Sequence, residues 1–268
     1  MPPSIEWYPA INVRRSRRRY DKSRPVEPDK VERLHKTCAE FRPFPSTRVE
    51  FVAEPPDDIF TNALVFYGNI KFAPSFLAFI GDMSDHNVQE KMGYTSEGII
   101  LEATALGLGT CWVALTFRSK SALAMLKLDK GEKLIGVSPV GYATDVITFE
   151  EKAFTGFGAN HQRKPLSTMV SGMPESEWPA WARAAVEAAR LAPSAINRQP
   201  WNFHIEKNSL TVAVKSPGME FNVAKRLDCG IAMLHAELGA LSCGRQGKWE
   251  LLKQPQVARF QTVQIKPT

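Results

Sequence analysis

Cysteine is scarce in this chain, and its placement excludes more than it offers. Cys38, Cys111, Cys229 and Cys243 form no CxxC pair, and none stands at zinc-ligand spacing from a histidine. A disulfide framework and a zinc knuckle are therefore not expected, and the four read as reduced thiols of a cytoplasmic protein. The five histidines, His35, His86, His161, His204 and His235, are scattered and belong to no visible nucleophile triad or metal constellation. No apolar run reaches the ~18 residues of a membrane span. The densest stretch, Phe72 to Ile80, is too short. The opening Met-Pro-Pro-Ser-Ile-Glu lacks a basic segment followed by an apolar one, so no signal peptide is expected. A dinucleotide fingerprint is also missing. The glycines of Ala105-Leu-Gly-Leu-Gly-Thr-Cys-Trp112 are wrongly spaced for it and follow a helix rather than a strand.

What is present is enough for a sizeable core. The chain has 268 residues, 44% of them hydrophobic, which suits one large domain or two fused halves. The net charge of +6 favours anionic partners without choosing among them.

The pattern predicts short strands alternating with helices. Pro25 to Pro28 turns into a helix on which Val31, Leu34 and Cys38 share a face, with Asp29 as a candidate cap. Arg48–Ala53 and Phe76–Ile80 read as strands, the second fully buried. Tyr94–Leu108 reads as a helix ended by Gly107 and Gly109, followed by strands over Thr110–Leu115 and Leu134–Tyr142. A glycine-bearing loop, Gly156 to Pro165, precedes a helix that begins in Pro174–Trp181 and stops before Pro193. Trp201–Ile205 and Leu210–Val214 suggest a hairpin, Leu227–Ala240 a long helix, and Arg259–Ile265 a terminal strand. This alternation predicts an α+β architecture rather than a regular parallel array.

The order helix, Pro-Ser loop, strand, long helix occurs twice. Gly98-Ile-Ile-Leu-Glu-Ala pairs with Gly230-Ile-Ala-Met-Leu-His-Ala, and Pro43-Phe-Pro-Ser with Ala192-Pro-Ser. Two halves, residues 1–170 and 171–268, are expected from this pseudo-repeat.

Two segments carry most of the chemistry. Arg14-Arg15-Ser16-Arg17-Arg18-Arg19-Tyr20 alternates Arg14, Ser16 and Arg18, which would face one side of an extended entry segment. Guanidinium forks and a hydroxyl suit a phosphate, although such a run is also readable as a solvated arm or a nucleic-acid tail. Ala192-Pro193-Ser194-Ala195-Ile196-Asn197-Arg198-Gln199-Pro200-Trp201 offers a hydroxyl and an amide on a loop stiffened by two prolines. That suits the edge of a flat polar ring system. His161-Gln-Arg163-Lys164-Pro165 adds cations that join Arg14 and Arg18 at a phosphate or serve as a charged linker.

These pieces together resemble the nitroreductase family of FMN-dependent oxidoreductases: the arginine arm, Ala105–Trp112, Gly141-Tyr142, Arg163-Lys-Pro-Leu166 and Ala192–Trp201. The resemblance implies FMN as cofactor, NADH or NADPH as electron donor, and a small electron acceptor such as a nitroaromatic or a quinone. By resemblance Arg14, Arg15, Ser16, Arg18, Arg163 and Lys164 hold the FMN phosphate. Pro193, Ser194 and Asn197 meet the isoalloxazine, Leu108 and Gly109 approach it from the opposite side, and Asn69 is a further carry-over. Arg198, inside the flavin loop, is a candidate to stabilise the reduced ring near N1 and O2.

The order departs from the family pattern. The Pro-Ser-x-x-Asn loop belongs shortly after the basic arm, where this chain has Arg42-Pro-Phe-Pro-Ser-Thr-Arg48, without the asparagine. The intact loop stands in the second half, which carries Ser242-Cys-Gly-Arg-Gln-Gly-Lys248 where the first has Gly-Leu-Gly-Thr-Cys-Trp. A monomer acting as a pseudo-dimer with one complete site is the expectation, with further oligomerisation open. A flavin- or ligand-binding protein without turnover is the alternative. Nucleic acid is not an expected partner, since few aromatics stand beside the arginines to stack bases, and neither is a membrane.

Overall fold

A computed structural model describes residues 1–56, 58–60, 70–114, 117–145, 162–215 and 223–263. The fold is α+β, with two sheets and two central helices. In chain order the helices are α1 (Trp7–Val13), α2 (Pro28–Glu40), α3 (Val88–Ala105), α4 (Ser119–Leu123), α5 (Ala180–Arg190) and α6 (Lys225–Ser242). The strands are β1 (Thr47–Ala53), β2 (Ser75–Asp82), β3 (Gly109–Thr110), β4 (Glu132–Gly141), β5 (Val170–Gly172), β6 (Trp201–Glu206), β7 (Ser209–Val214), β8 (Gly247–Leu251) and β9 (Gln256–Thr262). No helix among the described residues is long and apolar enough to cross a membrane.

The first sheet has the order β1-β2-β4-β3 and the second β5-β6-β7-β9-β8. Apart from the short parallel strand β5, both are antiparallel, and, leaving out α4 between β3 and β4, each follows the order helix-strand-strand-helix-strand-strand along the chain. β2 is buried on both faces, as its unbroken apolar run requires. Leu77 and Phe79 point into the main core, while Phe76, Ala78 and Ile80 fill a second, smaller one. β6 instead alternates, with Trp201, Phe203 and Ile205 inward and Asn202, His204 and Glu206 outward. The main core draws residues from both sheets, so the two halves share one interior.

α3 and α6 are 18 residues long, buried along most of their length, and packed on each other. Both end in the same way. Leu108 N–H reaches back to Ala103 and Gly107 N–H to Thr104, while Arg245 N–H reaches Ala240 and Gly244 N–H Leu241. These are Schellman turns, and Gly107 and Gly244 supply the left-handed residue at φ +79° and +68°. Midway, the helices touch backbone to backbone. A Cβ on Gly93 would collide with the Leu227 carbonyl, and one on Gly230 with the Glu90 carbonyl. The contact is reciprocal, so Gly93 is the counterpart of Gly230, not Gly98 as the sequence similarity implied. Gly98 makes room for the Phe41 ring instead.

Element limits differ from expectation where tertiary contacts intervene. Glu27, not Asp29, takes the N-cap position of α2, without a side-chain capping hydrogen bond, and Asp29 lies in the first turn. The long helix starts at Val88, six residues before the predicted Tyr94. The strand expected over Thr110–Leu115 is reduced to Gly109–Thr110 and a lone bridge of Val113 to Val137, because between them Cys111 N–H donates to the Ser138 hydroxyl at 3.1 Å and the residue opposite it in β4, Pro139, has no N–H to pair; Leu115 lies outside the described residues. Pro179 separates a single turn at Glu175–Glu177 from α5, so the helix begins at Ala180. α1, α4, β5 and β8 were not anticipated.

Gly93→Ala and Gly230→Ala should each cost about 3 kcal/mol, near the top of the range for overpacking, because the obstacle is backbone rather than a movable side chain. Urea denaturation measures this, and losses below about 0.5 kcal/mol at both positions would contradict the close approach.

Candidate functional site

The arginine arm begins where α1 ends. Arg14 caps α1, donating its N–H to the Ala10 carbonyl at 2.8 Å. The chain then extends, Ser16 bridges Thr110 of β3, and Arg17 N–H donates to the Thr110 carbonyl at 2.8 Å. Docking on β3 turns Arg14 inward, where it is 3% exposed. Its nearest counter-charge is Glu97 of α3, 3.8 Å from Nε. That carboxylate is already shared, since His235 Nε2 lies 2.9 Å from one oxygen and Trp112 Nε1 donates to the other at 2.7 Å. Arg14 Nε and Nη1 have no hydrogen-bond partner among the described residues.

The loop after α5 is conformationally expensive. Ile196, Asn197 and Gln199 all have left-handed φ, at 49°, 55° and 47°, and each such residue costs of order 1–3 kcal/mol unless its surroundings impose it. The surroundings here are specific. Gln199 N–H donates to Ser194 Oγ at 2.9 Å, and Ala195 N–H to Asp228 of α6 at 3.1 Å. The segment Gln162–Lys164 clasps the other side. Asn197 Nδ2 donates to the Gln162 carbonyl at 2.9 Å, and Lys164 N–H to Gln199 Oε1 at 2.8 Å. Arg163 donates to Asn197 Oδ1 and, at 2.8 Å, to the Leu191 carbonyl.

Held in this clasp, Arg163 lies within electrostatic reach of three other guanidinium groups. Burial lowers the Arg163 pKa to about 9, and the charges of Arg14, Arg15 and Arg190 push it the same way. Arg163 Nε and Arg190 Nε are buried without a hydrogen-bond partner among the described residues, as is the Thr110 hydroxyl under the arm. Buried donors are rarely left unpaired, and clustered like charges need an opposite one. The donor set fits a phosphate. Beside it, between α1 and the end of α5, opens a cavity of about 560 Å³ with Arg190 in its wall.

Arg14, Arg15 and Arg163 of the expected set are thus assembled. Ser16 lies on the arm next to Thr110, and its hydroxyl makes no hydrogen bond to the described residues. Arg18 lies further along, its carbonyl accepting from Lys71 N–H. Ser194 and Asn197 stand on the clasped loop, and Pro193 is buried beneath it. Asn69 and His161 lie outside the described residues.

Four of the expected residues have partners within the protein. The Lys164 ammonium, expected at a phosphate, donates to the carbonyls of Arg198, at 2.7 Å, and Gln199, so it holds the loop's main chain. Arg198, expected at a flavin ring, is paired with Asp228 at 2.7 Å and donates to the Val223 carbonyl, which balances its charge inside the protein. The Leu108 side chain is part of the core. A Cβ on Gly109 would press on Ala143 and on the Arg17 side chain. The sequence reading missed Arg190, Glu97 and Asp228. Arg190 stood two residues before the Ala-Pro-Ser loop, a position that a helix ending there would aim at the site. Glu97 and Asp228 lay in helices read only for their apolar residues.

The family model described as "Putative TM nitroreductase" matches residues 6–240. The chain belongs to this nitroreductase family. Among solved structures, a Thermotoga maritima protein described as a putative nitroreductase is 21% identical, with a TM-score of 0.57 over 95% of this chain and 92% of that one. The likeness extends over both halves and shows the fold. A nitroreductase family protein of Clostridium difficile 630 is 22% identical over 62% of this chain and 95% of its own, with a TM-score of 0.43. A Bacteroides fragilis nitroreductase with bound FMN is 16% identical over 54% and 91%, also at 0.43. No curated protein matches the chain.

Two tests follow from the electrostatics. Inorganic phosphate should raise the thermal midpoint by binding the folded state, and Arg14→Gln and Arg163→Gln should each reduce that rise; an equal rise in all three proteins would mean only general salting-out. Burial lifts the Asp228 carboxyl to about 6, with Arg198 and the Ala195 N–H pulling it back down. A carboxyl raised in the folded state contributes stability that is complete below its unfolded value and lost as pH rises through the folded one. Relative to Asp228→Asn, the native protein should therefore lose stability between about pH 4 and pH 7, measured by thermal melts across that range. A constant difference would place the carboxyl at its ordinary value.

Proposed function

We propose that this chain is an FMN-dependent oxidoreductase that takes electrons from NADH or NADPH and reduces a small acceptor, of nitroaromatic or quinone type. Family membership supports the reaction class. The observation that carries the cofactor is the set of four clustered guanidinium groups, with unpaired donors on Arg14, Arg163 and Arg190, beside the strained Ser194–Gln199 loop. In this reading Arg14, Arg15, Arg163 and Arg190 hold the phosphate, with Ser16 as hydroxyl donor and Arg18 further along the arm.

Ser194 accepts a hydrogen bond from Gln199 N–H and retains its own proton to donate. Pro193, Ser194 and Asn197 present one wall to the flavin ring, and the clasp by Arg163 and Lys164 holds that wall in place. FMN, when bound, supplies the hydride and electron chemistry, leaving the protein to bind, orient and shield it.

One site per chain is part of the proposal. The phosphate arm comes from the first half and the Pro-Ser loop from the second. The corresponding first-half turn, Arg42–Arg48, lacks the asparagine. The repeated strand order and the reciprocal glycine contact support reading residues 1–170 and 171–268 as a fused pair of halves acting as a pseudo-dimer. The reduced thiols fit a cytoplasmic setting.

The absorbance of the purified protein, loaded with FMN and titrated anaerobically with NADH and NADPH, tests the reading. Bleaching with one FMN per chain is expected. Bound flavin that neither donor bleaches would make the chain a binding protein without turnover, and two FMN per chain would exclude a single working site. Arg14→Gln and Arg163→Gln should each weaken FMN binding about 10- to 100-fold, the usual value of a charge-assisted contact.

A further inference from the structure

Beneath the arginine arm lies a buried pair that the flavin reading leaves without a part. The side chains of His235 on α6 and Glu97 on α3 are both fully buried. His235 Nδ1 lies 3.2 Å from the Ala188 carbonyl in the last turn of α5, and Nε2 lies 2.9 Å from Glu97 Oε1. A carbonyl oxygen only accepts, so Nδ1 carries a hydrogen. Nε2 then meets the carboxyl with a single proton between them. With that proton on the ring, an imidazolium stands beside a carboxylate; with it on the carboxyl, both groups are neutral. The pair carries no net charge in either form.

Neutrality of the pair matters at Arg14. Its Nε stands 3.8 Å from the same Oε1, and Nε and Nη1 have no hydrogen-bond partner among the described residues. Trp112 Nε1 takes the other carboxyl oxygen at 2.7 Å. An uncompensated carboxylate at this depth would draw the guanidinium into a hydrogen-bonded pair, because opposite charges in a poorly solvated interior attract strongly and unpaired ones are costly. The guanidinium instead stays beyond hydrogen-bond distance with donors unspent. His235 supplies the reason, since its hydrogen occupies the oxygen nearest Arg14. We propose that His235 is a positioning residue for the phosphate site: the proton it shares with Glu97 keeps that carboxylate from neutralising Arg14 and leaves the Arg14 charge available to an anionic ligand. The inference rests on reading the guanidinium cluster as a phosphate site. The same ring holds the Ala188 carbonyl, two residues before Arg190, so α6 steadies the end of α5 as well as the arm. If Glu97 were instead a simple anchor for Arg14, removing its charge would weaken anion binding; restrained by His235, it can lose its charge without harm.

Calorimetric titration of the flavin-free full chain with inorganic phosphate and with FMN, at one pH, tests the assignment. His235→Gln keeps an amide donor for Glu97 but brings no proton to share, and it should weaken phosphate binding about 10-fold. Glu97→Gln should bind phosphate at least as tightly as the native protein. Added to His235→Gln, it should restore the native affinity, which a loss of packing at His235 would not allow. Nitrogen NMR of histidine-labelled native protein should show a hydrogen on His235 Nδ1. Glu97→Gln and the NMR measurement carry the test even if His235→Gln does not fold. The proposal is overturned if the native protein binds neither anion, if His235→Gln binds phosphate as the native protein does, if Glu97→Gln weakens binding, if the double variant stays as weak as His235→Gln, or if Nδ1 is bare. Phosphate binding that follows the expected pattern without any binding of FMN removes the flavin reading and leaves the role of His235 in place. FMN binding and bleaching that ignore all these substitutions remove the role and leave the flavin reading.

Discussion

Everything in this molecule depends on two buried helices meeting backbone to backbone. At Gly93 and Gly230 there is no room for even a methyl group between α3 and α6. Such an approach brings main-chain atoms into van der Waals contact and leaves no slack for the helices to slide. It is reinforced by three polar cross-links. Arg226 pairs with the fully buried Glu90, Tyr94 donates to Glu237 at 2.7 Å, and His235 meets Glu97 at 2.9 Å. Buried polar groups of this kind add little net stability when paired, yet cost several kcal/mol when one partner is lost. Their effect is to select one register of the two helices.

That register places the site. Glu97 reaches the arginine arm from α3, while Asp228 and its partner Arg198 tie the Pro-Ser loop to α6. The arm and the loop are separated by well over half the chain, yet each is fixed to one member of the same helix pair. The guanidinium cluster is therefore a tertiary product. Its unpaired donors mark the place where the fold has left binding capacity unused.

The loop itself shows how rigidity is distributed. Three non-glycine residues in left-handed conformations would relax in an isolated peptide. They persist because Gln162, Arg163 and Lys164 bond to the loop from one side and Asp228 from the other. Two cations with an apparent role toward a ligand, Lys164 and Arg198, turn out to serve this bracing. The outcome is a preorganised wall, which reduces the ordering cost of binding.

The sequence by itself determined the α+β class, the order of elements, the buried strand at Phe76–Ile80, and the two segments of the candidate site. These follow from local signals: apolar periodicity, glycine at helix ends, and residue types suited to phosphate and ring. The glycine correspondence, the start of α3 and the reduction of β3 to two residues were decided by packing. So were the partners of each charge. A sequence displays Lys164, Arg198 and Arg190 as equivalent cations, because charge is a property of the residue while neutralisation is a property of its neighbours. Only the folded chain shows that a carbonyl pair holds the first, that Asp228 balances the second, and that the third stands at a cavity beside three other guanidinium groups.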